Sequence, residues 1–395
     1  RWELPCRGGR ITSVHLDDEP EENDMKAILT AAIGALAVVT TVQGQQFYNF
    51  TEGLAEGISD NGVVTGSFVA PEYFVWTVDS GFQLIGGAVP GDGIGGQAKI
   101  SNDGRYISGT IFNAAQGYHE MARYDRMAGM WTGLGGIGGQ TDQEISSGWA
   151  VSGNGQHVAG LGWIDGGTAH ATQWSSGVGI FDLGSTVAGA SSRVNGLDYD
   201  GNVAVGWQDG AGRQGAVWVD GVQELIFKQD GVTPALEAFA VSDSGEWATG
   251  FDTGGFFDPG AAYRYNTVTD TYESLPNLDI GAQSNMAGSG ITADGSLIVG
   301  GTWGFGPALF GLGLVWEEGV GTMSAIDFFN AHDVDTPDGF TYHYITDVSS
   351  DGKWFTGWGS FGLAADQSFV VFIPSPGALA LLGLAGLISR RRRRS

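Results

Sequence analysis

Residues 291–300 read Ile-Thr-Ala-Asp-Gly-Ser-Leu-Ile-Val-Gly, and relatives of this decapeptide recur along the chain. The pair Asp294-Gly295 is typical of a tight hairpin turn, because Asp tolerates a positive φ and Gly is indifferent to it. The apolar and β-branched residues on either side alternate with the period of a strand. The decapeptide therefore predicts two short strands joined by a turn. Gly300 marks where the second strand bends or admits another backbone.

Seven copies of the decapeptide are present, with their turn glycines 42 to 57 residues apart. These are Gly62, Gly104, Gly155, Gly201, Gly245, Gly295 and Gly352. The spacing brackets the ~40–50 residues of a four-stranded propeller blade. Each copy continues with a third strand that ends in an aromatic residue and with a fourth, Gly-rich segment. Four short strands cannot bury both of their faces alone, so neighbouring units are expected to stack.

The two ends of the repeat array are complementary. The seventh copy stops after its third strand, at Ile373, whereas an orphan strand-like run, Gln46–Phe50, precedes the first copy. We expect this run to complete the last unit, since closure leaves only short, protected sheet edges. The sequence thus predicts an all-β fold over residues 45–373: a seven-bladed β-propeller of four-stranded antiparallel blades, its ring closed by the N-terminal strand.

Composition restricts the partners. Glycine accounts for 68 of 395 residues, without a triplet period, which indicates many turns. Residues 45–376 contain 9 Lys and Arg against 37 Asp and Glu, a net charge of about −28. Such a surface repels nucleic acid and anionic lipid and suits cations or neutral polymers. It is equally typical of a soluble secreted protein from a salty habitat, which is the interpretation we favour. We expect no nucleic-acid partner.

The N-terminal region has the pattern of an export signal. Residues 1–24 show no apolar period and are interpreted as a disordered upstream extension. Met25-Lys26 then precedes a 13-residue apolar stretch, and Gly44-Gln45 follows as a cleavage site with small residues before it. Residues 25–44 are therefore predicted to be a signal peptide with a helical apolar segment. The only cysteine, Cys6, would not be part of the product, so no disulfide is expected.

The C-terminal residues 374–395 form a second addressing segment. A Pro-Ser-Pro-Gly motif leads into a short apolar run, predicted to be a transmembrane helix, and then into an arginine cluster that should stay cytoplasmic. The residues concerned are Pro374, Ser375, Pro376, Gly377, Arg390, Arg391, Arg392, Arg393 and Arg394. This order resembles the sorting signal of bacterial PEP-CTERM proteins, although Ser375 stands where that family has Glu.

The resemblance implies an address and a partner. An exosortase-type membrane enzyme recognises and processes such tails, so that enzyme and the secretion machinery are the expected partners. The protein would be membrane-anchored before processing and would then reach the cell surface, the outer envelope or the extracellular matrix. A plain C-terminal anchor is the alternative and gives the same localisation.

The repeats carry a second resemblance. Ala169–Trp174, followed by Asp182-Leu183-Gly184, is similar to the HAF-type repeats of bacterial extracellular proteins. Those repeats are expected to be propeller-like modules, and no chemistry is assigned to them. The resemblance covers residues 46–373 and rests on sevenfold recurrence of short motifs.

Candidate metal ligands occur in two loops. Asp198 and Asp200 flank a turn, and Asp333, Asp335 and Asp338 follow each other at spacings that a calcium loop uses, because a hard cation takes oxygen ligands. Neither loop has the distal Glu of a complete site, and turn formation alone explains the first pair. We therefore expect no cofactor, with calcium as the alternative.

Tryptophans fall into two sets. One set shares the last position of the third strand and is expected to pack between units: Trp76, Trp174, Trp218 and Trp316. The other lies off that position, and an exposed binding aromatic is to be sought there: Trp131, Trp149, Trp163, Trp207, Trp303 and Trp358.

No catalytic constellation recurs or stands alone in the sequence. We therefore predict an exported, non-catalytic binding or structural module whose partner is a polysaccharide, a cation or another envelope component. The alternative is a secreted hydrolase or lyase acting on polysaccharide, with acidic residues as acid and base. Carboxylates gathered at one mouth of a central channel would favour the enzyme, and carboxylates spread over the rim would favour binding.

Overall fold

The structure is a computed structural model that describes residues 46–252, 260–278, 286–302 and 311–374. Within these ranges the chain forms 27 strands and one short helix. Strand β1 (Gln46–Phe50) comes first and pairs with the far end of the chain. Every pair of strands named below is antiparallel, as expected for consecutive hairpins.

Four of the five sheets each hold strands that are consecutive in sequence. The first contains β2 (Leu54–Ile58), β3 (Val64–Phe68), β4 (Tyr73–Thr77) and β5 (Gly81–Gly86). The second contains only β6 (Tyr106–Asn113), β7 (Tyr118–Asp125) and β8 (Met130–Gly135). The third contains β9 (Ser146–Val151), β10 (His157–Trp163), β11 (Ala169–Ser175) and β12 (Gly179–Gly184). The fourth contains β13 (Ser192–Leu197), β14 (Val203–Asp209), β15 (Arg213–Val219) and β16 (Val222–Leu225).

The fifth sheet has twelve strands and combines the last three repeats with β1. The fifth repeat supplies β17 (Glu237–Val241), β18 (Trp247–Asp252), β19 (Ala261–Asn266) and β20 (Thr271–Ser274). The sixth supplies β21 (Met286–Ile291), β22 (Leu297–Thr302), β23 (Gly313–Glu317) and β24 (Gly321–Ser324). The seventh supplies β25 (Phe340–Val348), β26 (Trp354–Phe361) and β27 (Gln367–Phe372).

This arrangement corrects the predicted fold. A seven-bladed β-propeller of separate four-stranded blades in a closed ring is wrong, because the described strands form sheets of twelve, four, four, four and three strands, and no sheet closes on itself. Single pairings, Phe251 with Ala287 and Gly301 with Tyr344, join the last three repeats into one sheet. In the second repeat, Ile100 makes only an isolated bridge to Ile107, so the strand before the turn does not form.

The predicted helices are also not found in the described part of the chain. No helix within it is long and apolar enough to cross a membrane. The predicted signal helix of residues 25–44 lies outside the described residues, and so does the apolar run after Pro374.

The expected pairing of the N-terminal run with the last strand is present. Strand β1 pairs with β27 over five positions, from Gln46 opposite Phe372 to Phe50 opposite Ser368. Phe50 is buried and its ring stacks on Trp76 of the first repeat, with centroids 5.5 Å apart. The run therefore extends the twelve-stranded sheet, and it does not complete a separate four-stranded blade.

The turn of each repeat is stabilised by one side chain. In Ser242 the hydroxyl oxygen accepts a hydrogen bond from the backbone N–H of Trp247, 3.1 Å away, at the start of the second strand. All seven turn glycines have φ between +70° and +75°, as the Asp-Gly pattern predicts. The equivalent acceptors in the seven repeats are Ser59, Ser101, Ser152, Asp198, Ser242, Thr292 and Ser349.

The last glycine of the decapeptide faces a β-bulge in six repeats. A Cβ on Gly300 would stand 1.8 Å from the carbonyl oxygen of Ala287, and in each of the other five the nearest obstacle is likewise a backbone oxygen of the first strand. The bulge brings the two backbones this close because Ser289 is an extra residue in the first strand. In the second repeat, which lacks the strand, Gly109 meets side chains instead, with Trp131 the nearest. The close approach predicted for this glycine is confirmed.

The aromatic residues at the end of the third strands pack between neighbouring repeats, as predicted. Trp218 is 1 % exposed and lies in one apolar cluster with Ala150 and Ala171 of the preceding repeat. Trp316 packs likewise with Ala262 of the repeat before it. The core is therefore divided among the junctions between repeats.

A helix that the sequence analysis did not predict follows β24. It is α1 (Ala325–Ala331), capped by Ser324, whose side chain accepts a hydrogen bond from the backbone N–H of Asp327. Phe328 and Phe329 on its inner face are buried. The Ser-x-x-Asp spacing is a signature of a helix start and would have identified it.

Candidate functional site

The first strands of the repeats surround a cavity of about 1160 Å³. Its lining includes Glu56 from β2, Trp149 from β9, Asn195 from β13, Phe239 from β17 and Thr346 from β25. The second repeat contributes Gln97 and Lys99 from the segment that replaces its first strand. A pocket of this size, with mixed aromatic and polar walls, is typical of a binding site for a small molecule or a chain end.

Six of the lining residues share one position in the repeat. Each stands two residues before the decapeptide and is the extra residue that the bulge inserts into the first strand: Glu56, Trp149, Asn195, Phe239, Ser289 and Thr346. A bulge turns one side chain out of the regular alternation of a strand. In this fold the same irregularity therefore delivers six side chains of different chemistry to one cavity.

One wall of the cavity is a stack of indole and guanidinium groups. The Arg193 guanidinium lies 3.7 Å from the ring centroid of Trp149 and 5.2 Å from that of Trp207. Arg213 covers Trp207 at 3.6 Å. Such cation–π contacts hold a guanidinium by its face and leave its N–H edge available.

Glu237 fixes the edges of both arginines. Its Oε1 is 3.1 Å from Arg193 and its Oε2 is 3.4 Å from Arg213. Asn195 donates to Glu237 at 2.9 Å and accepts from Arg193 at 2.8 Å. Burial lowers the pKa of the Arg193 guanidinium to about 10, against the opposing effect of Glu237, so Arg193 remains charged at neutral pH.

A second carboxyl group stands in the first repeat. Glu56 accepts hydrogen bonds from the Ser67 hydroxyl at 2.7 Å and from the backbone N–H of Ala98 at 3.3 Å. Burial raises the pKa of Glu56, although these hydrogen bonds and Lys99 act in the opposite direction. Lys99 donates to the backbone oxygen of Glu56 at 2.8 Å and lies 3.6 Å from Asp347, whose pKa burial also raises.

The rim on the side of the first repeat is apolar. Phe68 is 48 % exposed and stacks on Trp358, with centroids 5.5 Å apart and planes 14° from parallel. The next residue, Val69, is 71 % exposed and has a φ of +54°, which is strained for a β-branched side chain. Strain of this kind concentrates at sites that bind ligands.

The turn side of the cavity narrows into a second space of about 100 Å³. Lys99, Asn195 and Phe239 line both spaces. Beyond them the Asn102 amide donates to the Asp243 carboxylate at 2.6 Å, across 141 residues of chain. The larger space, about 1160 Å³ against about 100 Å³, is the one with room for a ligand.

The cavity differs in charge from the rest of the protein. Lys99, Arg193 and Arg213 are three of the nine Lys and Arg between residues 45 and 376, whereas Glu56 and Glu237 are only two of the 37 carboxylates. The lining therefore holds a larger share of the cations than of the carboxylates, and each of the three cations is paired with a carboxylate.

The acidic residues of the two predicted calcium loops lie in turns and at a helix end. Asp198 accepts from the backbone N–H of Val203 as the turn acceptor of its repeat, and Asp200 accepts from Asn154. Asp333 has a φ of +57° just after the end of α1, and Asp333, Asp335 and Asp338 are exposed. Within the described ranges no group of three or more His, Cys, Asp or Glu side chains is placed to hold a metal ion. Calcium at either loop remains an untested prediction.

The six tryptophans that lie off the packing position occupy different places in the structure. Trp149 and Trp358 line the cavity, Trp149 half-buried and Trp358 only 5 % exposed. Trp131 packs on Tyr73 and Tyr124, Trp163 donates to Glu144, and Trp207 is buried. Trp303 lies outside the described residues.

Sequence analysis missed the charged residues of the cavity. Glu56 and Asn195 would have appeared if the repeats had been aligned two residues upstream of the decapeptide. Arg193 and Arg213 share no repeat position and have no local signal. Of the sorting signal, only Pro374 is described, next to Ile373; the other sorting residues and the cleavage pair Gly44-Gln45 lie outside the described residues.

No protein family model and no curated protein matches this chain. Solved structures that resemble it include TolB from Acinetobacter baumannii, with 13% identity, 78% of this chain and 70% of that chain covered, and a TM-score of 0.42. The β-propeller domain of the trilobed protease from Pyrococcus furiosus has 11% identity, coverages of 82% and 95%, and a TM-score of 0.48. An oligogalacturonate lyase from Vibrio parahaemolyticus has 10% identity, coverages of 84% and 98%, and a TM-score of 0.49. Likeness at this level does not establish the architecture, which rests on the strand pairing described above.

Proposed function

We propose that the chain is an exported, non-catalytic binding protein of the cell surface or extracellular matrix, and that its cavity holds part of a saccharide chain. The observation that carries this proposal is the set of six bulged residues, equivalent in the repeat but different in chemistry, that line one cavity. Equivalent positions in a scaffold diversify in this way where they meet a ligand, since packing would demand similar side chains.

The chemistry of the walls suits a saccharide. Phe68, which is 48 % exposed, and the half-buried Trp149 offer apolar surface for a sugar ring. The hydroxyl of Ser289 donates to the backbone oxygen of Ile345, and its oxygen can accept from a sugar hydroxyl. Export is supported by the sequence of residues 25–44 and by the tail that resembles PEP-CTERM sorting signals.

A binding experiment tests the cavity. The purified full chain is screened against oligosaccharides, and Trp149→Ala is compared with Trp163→Ala, which removes an indole outside the cavity lining. We expect Trp149→Ala to weaken saccharide binding by about tenfold or more, because buried aromatic contacts dominate binding energy. Equal loss in both variants, or no saccharide bound by the parent chain, would refute the proposal.

The export part has a separate test. Replacing Arg390–Arg394 with Ser removes the cationic end of the sorting tail and leaves the residues of the cavity unchanged. We expect the protein to accumulate in a different cell fraction with the same melting temperature. Unchanged fractionation would count against the tail as an address.

An enzyme remains the second candidate because two carboxyl groups, Glu56 and Glu237, line the same cavity in different environments. One lies where burial raises its pKa, and the other is paired with two arginines. Such contrast is typical of acid and base pairs in polysaccharide cleavage. Incubation of bound oligosaccharides with the parent chain and with Glu56→Gln decides between the two: fragments released by the parent alone would establish the enzyme.

A further inference from the structure

We infer that the cavity selects an acidic saccharide, one whose sugar carries a carboxylate, and seats that carboxylate against Arg213 beside the Trp149–Arg193–Trp207 stack. This inference rests on the proposed function and names the ligand class of the same site. A neutral saccharide would interact only with the aromatic and amide groups of the lining. The lining holds three of the nine cations in residues 45–376, a region with a net charge of about −28, and with a neutral ligand these cations would serve only in their ion pairs with carboxylates of the protein.

Arg213 is the cation best placed to meet a ligand. Its side chain is 40 % exposed, against 17 % for Arg193, and it lines the cavity. Its ion pairs are long, 3.3 Å to Asp209 and 3.4 Å to Glu237. A guanidinium has five N–H donors, and the hydrogen bonds to described residues use only Nε and Nη1 of Arg213. Donors therefore remain for a carboxylate that enters from the cavity.

The stack makes this guanidinium a directional donor. Trp207 covers the face of Arg213 at 3.6 Å and is itself flanked by Arg193 on the side toward Trp149. A guanidinium held by its face can recognise a carboxylate only through its edge, in the bidentate geometry that arginine favours. The preorganised edge also reduces the loss of side-chain freedom on binding.

The other walls favour a sugar over an acidic peptide. Phe68, which is 48 % exposed and stacked on the buried Trp358, offers an apolar surface at the rim, in contrast to the charged arginine wall. The hydroxyl and amide groups of Ser289, Thr346 and Gln97 lie in the same lining. A ring with one apolar face, several hydroxyls and one carboxylate meets all three kinds of surface at once.

The test compares matched ligands on the purified full chain by titration calorimetry. The ligands are a uronic acid tetramer, its fully methyl-esterified form, a neutral glucose tetramer and a polyglutamate peptide. We expect the acid to bind about tenfold or more tightly than its ester, with an affinity that falls as salt rises. If ester and acid bind equally, the inference fails and the proposed saccharide function survives. If no saccharide binds, the proposed function fails. Tighter binding of polyglutamate overturns the inference in favour of a peptide.

Variants then assign the effect to Arg213. Arg213→Gln is expected to remove most of the preference for acid over ester, measured as the ratio of the two affinities within the same variant. Arg213→Lys keeps the charge without the fork and should restore only part of the preference. Arg105→Gln is the control, because Arg105 is similarly exposed at 39 % and paired with Asp125 outside the cavity lining. A preference that Arg213→Gln leaves intact, in a variant with unchanged melting temperature, overturns the assignment.

Discussion

The turn end and the cavity end of each first strand lie only a few residues apart, yet they are built in opposite ways. At the turn, all seven repeats use a small polar side chain for the same hydrogen bond and a glycine with the same φ. At the cavity, six repeats share the backbone irregularity and present six different side chains. The uniform residues of the turn maintain the fold, whereas the variable side chains at the bulge, a position fixed by the backbone, are the ones we propose to contact a ligand.

The largest expected effect comes from removing β1, the strand that lies at neither the turn end nor the cavity end of a repeat. Deleting Gln46–Phe50 should lower the free energy of unfolding by about 4 kcal/mol or more, because it exposes the surface that Phe50 covers and the edge of β27. Chemical denaturation measures the change. Deleting residues 1–24 is the control, and equal stability of the two deletions would contradict the role assigned to β1.

The second prediction concerns the β-bulge, which lies between the turn end and the cavity end of the first strand. Gly300→Ala places a Cβ 1.8 Å from the carbonyl oxygen of Ala287, so the bulge must distort. We expect a loss of about 3 kcal/mol or more in a denaturant melt, or failure to fold. Gly212→Ala, where a Cβ meets open space at ordinary φ, should change stability by less than about 0.5 kcal/mol. Similar losses at both glycines would show that the close approach is unimportant.

A smaller effect concerns the turn end alone. Ser242→Ala leaves the N–H of Trp247 without its side-chain acceptor in a buried site, which should cost about 1–2 kcal/mol in thermal unfolding. The control is Ser176→Ala, at an exposed serine in a different turn, with an expected change within about 0.5 kcal/mol. Ligand affinity should be the same in both variants. A loss of binding in Ser242→Ala alone would show that the turn end also contributes to ligand binding.

The last prediction concerns the cavity end and has the opposite sign. Because burial raises the pKa of Glu56 in the folded state, its ionisation opposes folding, and its contribution to stability is lost as pH rises through the folded pKa. Glu56→Gln removes this loss. The variant should match the parent below the ordinary pKa of Glu and gain relative stability as pH increases, which melting curves across pH 4 to 8 would measure. A difference that shrinks with increasing pH would exclude this account.

The turn end of each repeat could be predicted from the sequence, but the cavity could not. The Asp-Gly turns, the second-strand glycine and the aromatic packing positions each depend on residues within about ten positions of one another, where local sterics decide. The merging of three repeats into one sheet depends on single pairings such as Phe251 with Ala287, which no local pattern encodes. The bulge was not predicted because an inserted residue breaks the period of two on which strand prediction relies.

The site was harder still to predict. Arg193 contacts Trp149 of the preceding repeat, and both Arg193 and Arg213 pair with Glu237 of the following repeat. A pattern search finds ligands spaced along one segment, whereas this cluster forms only when three consecutive repeats pack. Trp149 was a candidate because it lay off the packing position, and alignment of the repeats two residues upstream of the decapeptide would have added Glu56 and Asn195.

The pairing of β1 with β27 also has a mechanical consequence. Gln46 lies opposite Phe372, so a pull that separates the two ends of the described chain acts across the ladder and opens its hydrogen bonds one after another. Antiparallel strands loaded in this direction unzip at low force, whereas strands loaded along their length resist until many bonds break together. A protein built this way withstands tension best when only one of its ends is tethered.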